Sequence, residues 1–282
     1  MARNTILVTG GTGKTGGRLV RRLIEERKGV RVASRSGAAP EGADGVAYDW
    51  SDGSADEKVL EGVDRIYLVA PVGVADVHTP MVRLIDKALG QGVRRFVLLS
   101  ASSIEEGGPA MGNVHAYLKQ KAPEWAVLRP SWFMQNFSVG QHAPTIREED
   151  GIYSAADEGR IPFIDADDIA EVGLRALLDE AAHNTDHILT GPEALTYGEA
   201  GAIIGDARGK AVHHIKLTVE QLAKRWEGFG LEPAYAQILA GMDQTIANGA
   251  EDRTTDAVEK VTGRMPKSLR QFAQENAAVW KI

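Results

Sequence analysis

The stretch Thr5-Ile6-Leu7-Val8-Thr9-Gly10-Gly11-Thr12-Gly13-Lys14-Thr15-Gly16-Gly17-Arg18-Leu19-Val20 decides the fold of this chain. Its apolar, β-branched start predicts a strand, and the residues after Gly17 predict a helix. Glycines at 10, 13 and 16 let the backbone approach a phosphate and let the helix pack closely on the strand. This order is typical of a dinucleotide pyrophosphate bound at a helix N-terminus. The expected contact residues are Gly10, Thr12, Gly13, Lys14, Thr15 and Gly16.

A second phosphate-binding motif is only partly present in the same turn. Gly13-Lys14-Thr15 resembles the end of a P-loop, whose pattern is G-x-x-x-x-G-K-[ST]. The first glycine of that pattern would stand at position 8, where this chain has Val8. A nucleoside triphosphatase is therefore not predicted.

Composition narrows the class of protein and its partners. The chain has 282 residues, 43% hydrophobic and 25% charged, which is ordinary for a globular protein. A formal net charge of −7 argues against nucleic acid or an anionic membrane as a partner and leaves a small-molecule substrate. No apolar run is long enough to span a membrane, and the first strand starts too early for a signal peptide, so we expect a cytoplasmic protein. The chain has no cysteine and its histidines show no ligand spacing, so no metal site is expected.

Strands and helices alternate through the first half of the chain, which predicts an α/β fold with a doubly wound parallel Rossmann sheet. We place an NADP-binding Rossmann domain at residues 1–150 and a smaller, mostly helical C-terminal substrate cap at residues 151–282. Residues from about 160 to 190 are expected to pack back on the sheet. The segment 140–153 is predicted as a loop and turn that leads to a short strand. The predicted strands are Ile6–Thr9, Val30–Ser34, Val46–Asp49, Arg65–Ala70, Arg95–Ser100, Trp125–Arg129 and His187–Thr190.

The end of the second strand indicates which nicotinamide dinucleotide is bound. In this fold that point meets the adenosine ribose about twenty residues after the glycines, and an acid there selects NAD. This chain has Ser34-Arg35-Ser36 and no acid. A planar guanidinium between two hydroxyls suits the 2′-phosphate of NADP(H), so NADP(H) is the predicted cofactor. The ends of strands four and five add Ala70, Pro71 and Ser100 as expected cofactor contacts.

Four ordered motifs show a resemblance that covers essentially the whole chain. The segment 128–137, Leu-Arg-Pro-Ser-Trp-Phe-Met-Gln-Asn-Phe, resembles the "LRPxxFMENF" element of the NmrA-like atypical short-chain reductases, with Gln135 where glutamate is common. Segments 161–170, 189–197 and 261–264 resemble later elements of that family, and the G-x-x-G-x-x-G spacing is similar too. Within the family, segments 114–118 and 144–147 look most like the festuclavine and agroclavine dehydrogenases of ergot alkaloid assembly.

Short-chain reductases usually protonate a carbonyl with a Tyr-x-x-x-Lys pair, whose lysine lowers the tyrosine pKa. Tyr117 and Lys121 have that spacing, but they stand at the end of a predicted helix, just before the sixth strand. In the family the pair lies near the start of a long helix, a place occupied here by Gly107 and Met111. We therefore predict no tyrosine–lysine proton donor, and the catalytic residues stay unknown.

The resemblance implies reduction of acceptors that need no enzymic acid, such as iminium ions, quinones or azo groups. An iminium carbon already carries positive charge, so orientation supplies most of the catalysis. Two alternatives stay open: a non-catalytic NADP(H) sensor that binds a partner protein, and a carbonyl reductase that uses Tyr117 and Lys121. The expected substrate-binding residues are Ser102, Trp132, Phe133, Met134, Phe137, His142, Tyr153 and Tyr235.

Overall fold

The computed structural model describes residues 5–71, 74 and 76–281, and its central feature is a seven-stranded parallel sheet. The strand order is β3-β2-β1-β4-β5-β6-β8. Strands before β4 are therefore added on one side of β1 and later strands on the other side, while all of them stay parallel. The predicted doubly wound Rossmann sheet is therefore confirmed. The strands are β1 Thr5–Thr9, β2 Gly29–Ser34, β3 Asp44–Ala47, β4 Val63–Val69, β5 Arg95–Leu99, β6 Glu124–Pro130 and β8 Thr185–Leu189.

The chain divides into two compact units, and the sheet belongs to the first. That unit runs to Pro130 and then takes in Ala166–Leu189 and Lys260–Gly263. Leu19, Val20 and Leu23 on α1 are fully buried, as expected for an amphipathic helix packed on a sheet. The helices of this unit are α1 Gly16–Glu25, α2 Asp56–Val59, α3 His78–Gly90, α4 Met111–Lys121 and α7 Ala166–Leu178, with a 3₁₀ turn at Gly53–Ala55.

The second unit is mostly helical and contains Ser131–Asp165, Thr190–Glu259 and the chain from Arg264 on. Its core includes the fully buried Trp280, whose indole N–H donates to the Phe137 carbonyl at 2.6 Å. A parallel two-stranded sheet is formed by β7 Gly151–Ser154 and β9 His213–Lys216. The helices are α5 Gln135–Ser138, α6 His142–Glu149, α8 Tyr197–Arg208, α9 Val219–Gly228, α10 Pro233–Ala247 and α12 Leu269–Asn276, with a 3₁₀ turn at Ala277–Trp280. Helix α11 Ala257–Thr262 crosses the boundary between the units.

Capping residues explain why three helices of the second unit begin where they do. Thr196, Thr218 and Ser268 each accept a hydrogen bond from the backbone N–H three residues on, and the Glu or Gln side chain there accepts one from the backbone N–H of the capping residue. Each of these capping boxes satisfies two backbone donors at a helix start. Within the described ranges, no helix has the length and apolar character needed to cross a membrane.

Three local predictions differ from the structure. The segment predicted as loop and turn contains α6, which carries Pro144 in its first turn, where a missing N–H is tolerated. The third strand lies at Asp44–Ala47, two residues before its predicted start, on the exposed edge of the sheet. The first stretch of the first unit ends at Pro130, whereas the predicted boundary was residue 150. Ala166–Leu189 also belongs to this unit, within the region from about 160 to 190 that was expected to pack back on the sheet. The roles assigned to the two domains stay predictions.

Candidate active site

The glycine turn between β1 and α1 has no space for a side chain at Gly16. A Cβ on Gly16 would lie 2.4 Å from the Gly10 carbonyl oxygen, and Gly10 itself has φ +64°. The Gly13 N–H donates to the same carbonyl at 2.9 Å, which closes the turn. Thr15 is the N-cap residue of α1 but makes no side-chain capping bond. The turn therefore presents an uncapped helix N-terminus, which fits the phosphates of a dinucleotide.

The residues predicted to hold the cofactor lie where four neighbouring strands end. The glycine turn follows β1, Ser34 ends β2, Ala70 and Pro71 follow β4, and Ser100 follows β5. In the sheet these strands are adjacent, in the order β2-β1-β4-β5. Parallel strands end at one edge, so the structure brings these predicted contacts to one side of the first unit.

Two polar side chains at this edge are buried or half-buried. Ser100 is 8% exposed, and its Oγ has no hydrogen-bond partner among the residues that the structure describes. A buried hydroxyl of this kind normally finds a partner, and a bound ligand would supply one. Burial and the neighbouring Arg18 guanidinium both lower the pKa of the Lys14 ammonium. An anion beside Lys14 would offset both effects, so this edge fits a phosphorylated cofactor.

Arg35 follows β2 and is exposed to solvent, between two serines whose hydroxyls are hydrogen-bonded to the backbone of Ala38. The Ser34 hydroxyl donates to the Ala38 carbonyl at 3.0 Å, and the Ser36 hydroxyl accepts from the Ala38 N–H at 3.3 Å. Arg35 is exposed and forms no ion pair within the described part of the chain. Its guanidinium is near enough to Asp49 to contribute to the lowered pKa of that carboxyl, after the larger effect of the Ser51 hydrogen bonds. A cation here remains available to a 2′-phosphate.

Tyr117 lies in the last part of α4 and bonds to a neighbouring helix. Its hydroxyl donates to the Asp86 carboxylate of α3, and this bond is the main reason that the Tyr117 pKa is raised. A tyrosine that donates a proton in the manner of short-chain reductases needs a lowered pKa, and Lys121, its expected partner, is exposed at the helix end. The geometry thus favours a structural role for Tyr117.

Replacing Tyr117 by phenylalanine is expected to leave kcat/KM for any accepted substrate within about twofold of the parent value, because the lost bond is near the surface. Steady-state NADPH oxidation measures this, with Lys121→Ala assayed in parallel. Collapse of activity in both variants would instead identify the carbonyl-reductase alternative.

The second unit contains a partly open cavity of about 540 Å³. Its walls are mainly apolar, and α9 and α10 supply many of them. This volume suits a molecule of two or three fused rings, and aromatic walls suit a flat one. The aromatic residues of the lining are Trp132, Tyr153, Tyr197, Trp226 and Phe229.

Three of the predicted substrate residues line this cavity: Trp132, His142 and Tyr153. The His142 ring stacks on Phe137 at 5.4 Å and meets the Tyr197 ring edge-on at 5.4 Å. Burial, with a smaller effect of His214, lowers the pKa of His142 to about 3. His142 is therefore neutral at physiological pH.

The other predicted substrate residues lie elsewhere. Met134 and Phe137 are fully buried in the core of the second unit, where their apolar side chains serve packing. Phe133 is half-buried and forms a strand-like bridge to Ile164. Tyr235 is 41% exposed at the start of α10, and Ser102 is buried in the first unit, where its N–H donates to the Pro130 carbonyl.

Sequence reasoning missed the cavity residues of α9 and α10, above all Asp243. Ala236, Ala240 and Asp243 follow the i, i+4, i+7 spacing of one helix face, and all three are buried. The sequence signal that could have indicated this cavity residue is a carboxylate on the helix face that also carries Ala236 and Ala240. Among the described residues, no group of three or more metal-ligating side chains is placed to hold an ion.

Several known proteins are similar to this chain over nearly its full length. YesF, an oxidoreductase of Bacillus subtilis, is 47% identical over 280 residues, covering 99% of this chain and 98% of that protein. Agroclavine dehydrogenase of Claviceps fusiformis is 43% identical over 285 residues, 98% of each protein. An NADPH-dependent quinone oxidoreductase of Escherichia coli, solved with NADPH, has the same fold, with a TM-score of 0.82 and 21% identity over 96% of this chain and 99% of that one.

The fold and these relatives define an oxidoreductase. The model of the NmrA-like family matches residues 2–274, and the chain belongs to that family. The resemblance predicted from the four sequence motifs is therefore confirmed.

Proposed function

We propose that this protein is an NADPH-dependent reductase that delivers hydride to an imine or iminium, or to a quinone- or azo-type acceptor, without a tyrosine–lysine proton donor. The observation that carries the proposal is the aromatic cavity of about 540 Å³ in the second unit, in a chain whose first unit offers a dinucleotide-binding edge. The relative named agroclavine dehydrogenase supports the imine or iminium as the first acceptor to test.

The residues of the first unit bind and orient the cofactor. The turn that closes on Gly10 and Gly16 would hold the pyrophosphate, and Arg35 would pair with the 2′-phosphate. The buried Ser100 hydroxyl would gain the partner that it lacks. NADPH, when bound, supplies the hydride.

The residues of the second unit hold the acceptor and keep water away from it. Trp132 and Trp226 line the cavity, and cation–π attraction to their rings would add about 0.5–2 kcal/mol for a cationic acceptor. An iminium needs only hydride to become an amine, so no side chain has to move a proton. A neutral quinone or azo acceptor additionally takes up a proton, which solvent can supply.

The test is NADPH oxidation against cyclic imines, N-alkylated iminium ions, quinones, azo dyes and ketones, with NADPH and NADH affinities measured alongside. We expect turnover of imines or quinones and none of simple ketones. Turnover of ketones that depends on Tyr117 would support the carbonyl reductase instead. Tight NADPH binding without turnover of any acceptor would contradict the proposal and favour the redox sensor.

A further inference from the structure

The cavity of the second unit contains a buried carboxylate that no cation among the described residues pairs with. Asp243 is 6% exposed and lies on the wall contributed by α10. Its Oδ2 accepts the Ala155 N–H at 2.9 Å, and no Lys, Arg or His in the described ranges forms an ion pair with it. A buried charge is costly unless it is paired, so this site calls for a positive group.

The remaining polar groups of the cavity leave that negative charge unbalanced. The Arg225 guanidinium makes two bonds to the Glu149 carboxylate, at 2.8 and 2.9 Å, and lies 3.7 Å above the Tyr153 ring. Its charge is therefore matched by Glu149. His142 is neutral, and burial and Asp243 together raise the pKa of the Tyr197 phenol.

We propose that Asp243 determines the specificity of this site for positively charged acceptors, by pairing with an organic cation held between the aromatic walls. This inference rests on the proposed reductase function, because it names which class of acceptor the cavity prefers. A cation would neutralise the buried carboxylate, and the rings of Trp132 and Trp226, which line the same cavity, would add cation–π attraction. A neutral quinone would gain only the apolar contacts.

The preference is expected to depend on pH. Burial raises the pKa of Asp243 to about 6, against the opposing effect of the Ala155 N–H. Below that pH the carboxyl takes up a proton, so affinity for a permanent cation should fall by up to about tenfold per pH unit. The other titratable or charged groups that line the cavity are His142, Tyr153, Tyr197 and Arg225. The pKa of His142 is lowered and the pKa values of Tyr153 and Tyr197 are raised, so none of these three groups titrates between pH 5 and 8. Arg225 is paired with Glu149.

The experiment compares a non-reducible cation with a neutral molecule that has the same benzo-fused bicyclic skeleton. N,N-Dimethyltetrahydroisoquinolinium and isochroman are titrated calorimetrically into the full chain at pH 8, with and without NADP⁺. The parent protein should bind the cation about tenfold or more tightly than isochroman, because only the cation neutralises the buried carboxylate and is attracted electrostatically to the aromatic rings.

The variant Asp243→Asn keeps an oxygen acceptor for the Ala155 N–H and removes the charge. It should lose about tenfold or more in cation affinity, keep its isochroman affinity within about twofold and show no pH dependence near 6. Asp206→Asn removes an exposed carboxylate on α8 and is the matched control, which should bind like the parent. Asp243→Glu keeps the charge and should retain the preference for the cation.

Equal binding of the cation by the parent protein and Asp243→Asn would overturn the inference, as would a parent that does not discriminate between the two molecules. Failure of the proposed function looks different. Cation-selective binding without turnover of any acceptor would contradict the reductase and leave the Asp243 site standing. Quinone turnover together with an unchanged Asp243→Asn would refute the Asp243 role alone.

Discussion

Replacing Gly16 by alanine is expected to abolish tight NADPH binding, with a loss of affinity of about 100-fold or more, equivalent to about 2.7 kcal/mol. The added Cβ would lie 2.4 Å from the Gly10 oxygen, 2.9 Å from the Gly10 carbonyl carbon and 3.0 Å from the Gly11 Cα. All three neighbours are backbone atoms, so the turn or the start of α1 must move. Displacement of either removes the geometry that brings N–H groups to the pyrophosphate.

The matched control is the next residue along the chain. A Cβ on Gly17 would lie 3.4 Å from the Gly11 oxygen, which is ordinary contact, and alanine favours a helix over glycine by about 1 kcal/mol. Gly17→Ala should therefore bind NADPH like the parent and unfold at the same or a higher temperature. Nucleotide titration by tryptophan fluorescence and thermal unfolding by circular dichroism give both quantities. Parental NADPH affinity in a folded Gly16→Ala protein would show that the turn does not hold the cofactor.

Replacing Arg35 by aspartate is expected to reverse the choice of cofactor. NADPH affinity should fall by about 100-fold, because a guanidinium–phosphate contact of about 1.5–3 kcal/mol is replaced by repulsion between like charges. NADH lacks the 2′-phosphate, and a carboxylate at the end of β2 can accept its ribose hydroxyl, so NADH should lose little or gain. The nearby Asp49 adds to the repulsion of the phosphate.

The control for the change in net charge is Arg21→Asp, which makes the same substitution at an exposed position of α1. That variant should change NADPH and NADH affinity equally and by less than about threefold, since exposed charges at a distance are screened by salt. Dissociation constants for both cofactors at two salt concentrations complete the comparison. Equal losses of NADPH and NADH in Arg35→Asp would refute the assignment of Arg35 to the 2′-phosphate.

The part of the fold that the sequence made predictable is the part built from local signals. The run from Thr5 to Val20 contains its own strand, turn and helix, and each positional requirement is visible as a glycine or an apolar residue. Most strands of the parallel sheet are also short apolar runs, so all seven could be placed to within two residues at each end. Only β3 was shifted by two residues at both ends, because it is an exposed edge strand with little apolar pattern to set its register.

The candidate substrate cavity was less predictable because its walls come from distant parts of the chain. Trp132 and His142 belong to the segment after β6, whereas Trp226 and Asp243 come from α9 and α10. Periodicity shows that a helix face is apolar, but it does not show whether that face meets a core or a cavity. Met134 and Phe137 illustrate the difficulty, since they share a motif with Trp132 and yet lie in the core.

The division of the first unit into three stretches of chain sets an order on its folding as it leaves the ribosome. β6 is made long before β8, the strand that pairs with it through Ala126–Pro130. Until Thr185–Leu189 emerges, that side of the nascent sheet presents open backbone donors and acceptors, a surface on which unfolded chains readily associate. A fragment that stops at residue 150 would keep this unpaired, aggregation-prone edge of β6 permanently. We therefore expect the dinucleotide-binding unit to be obtainable in folded form only from a chain that extends at least through β8.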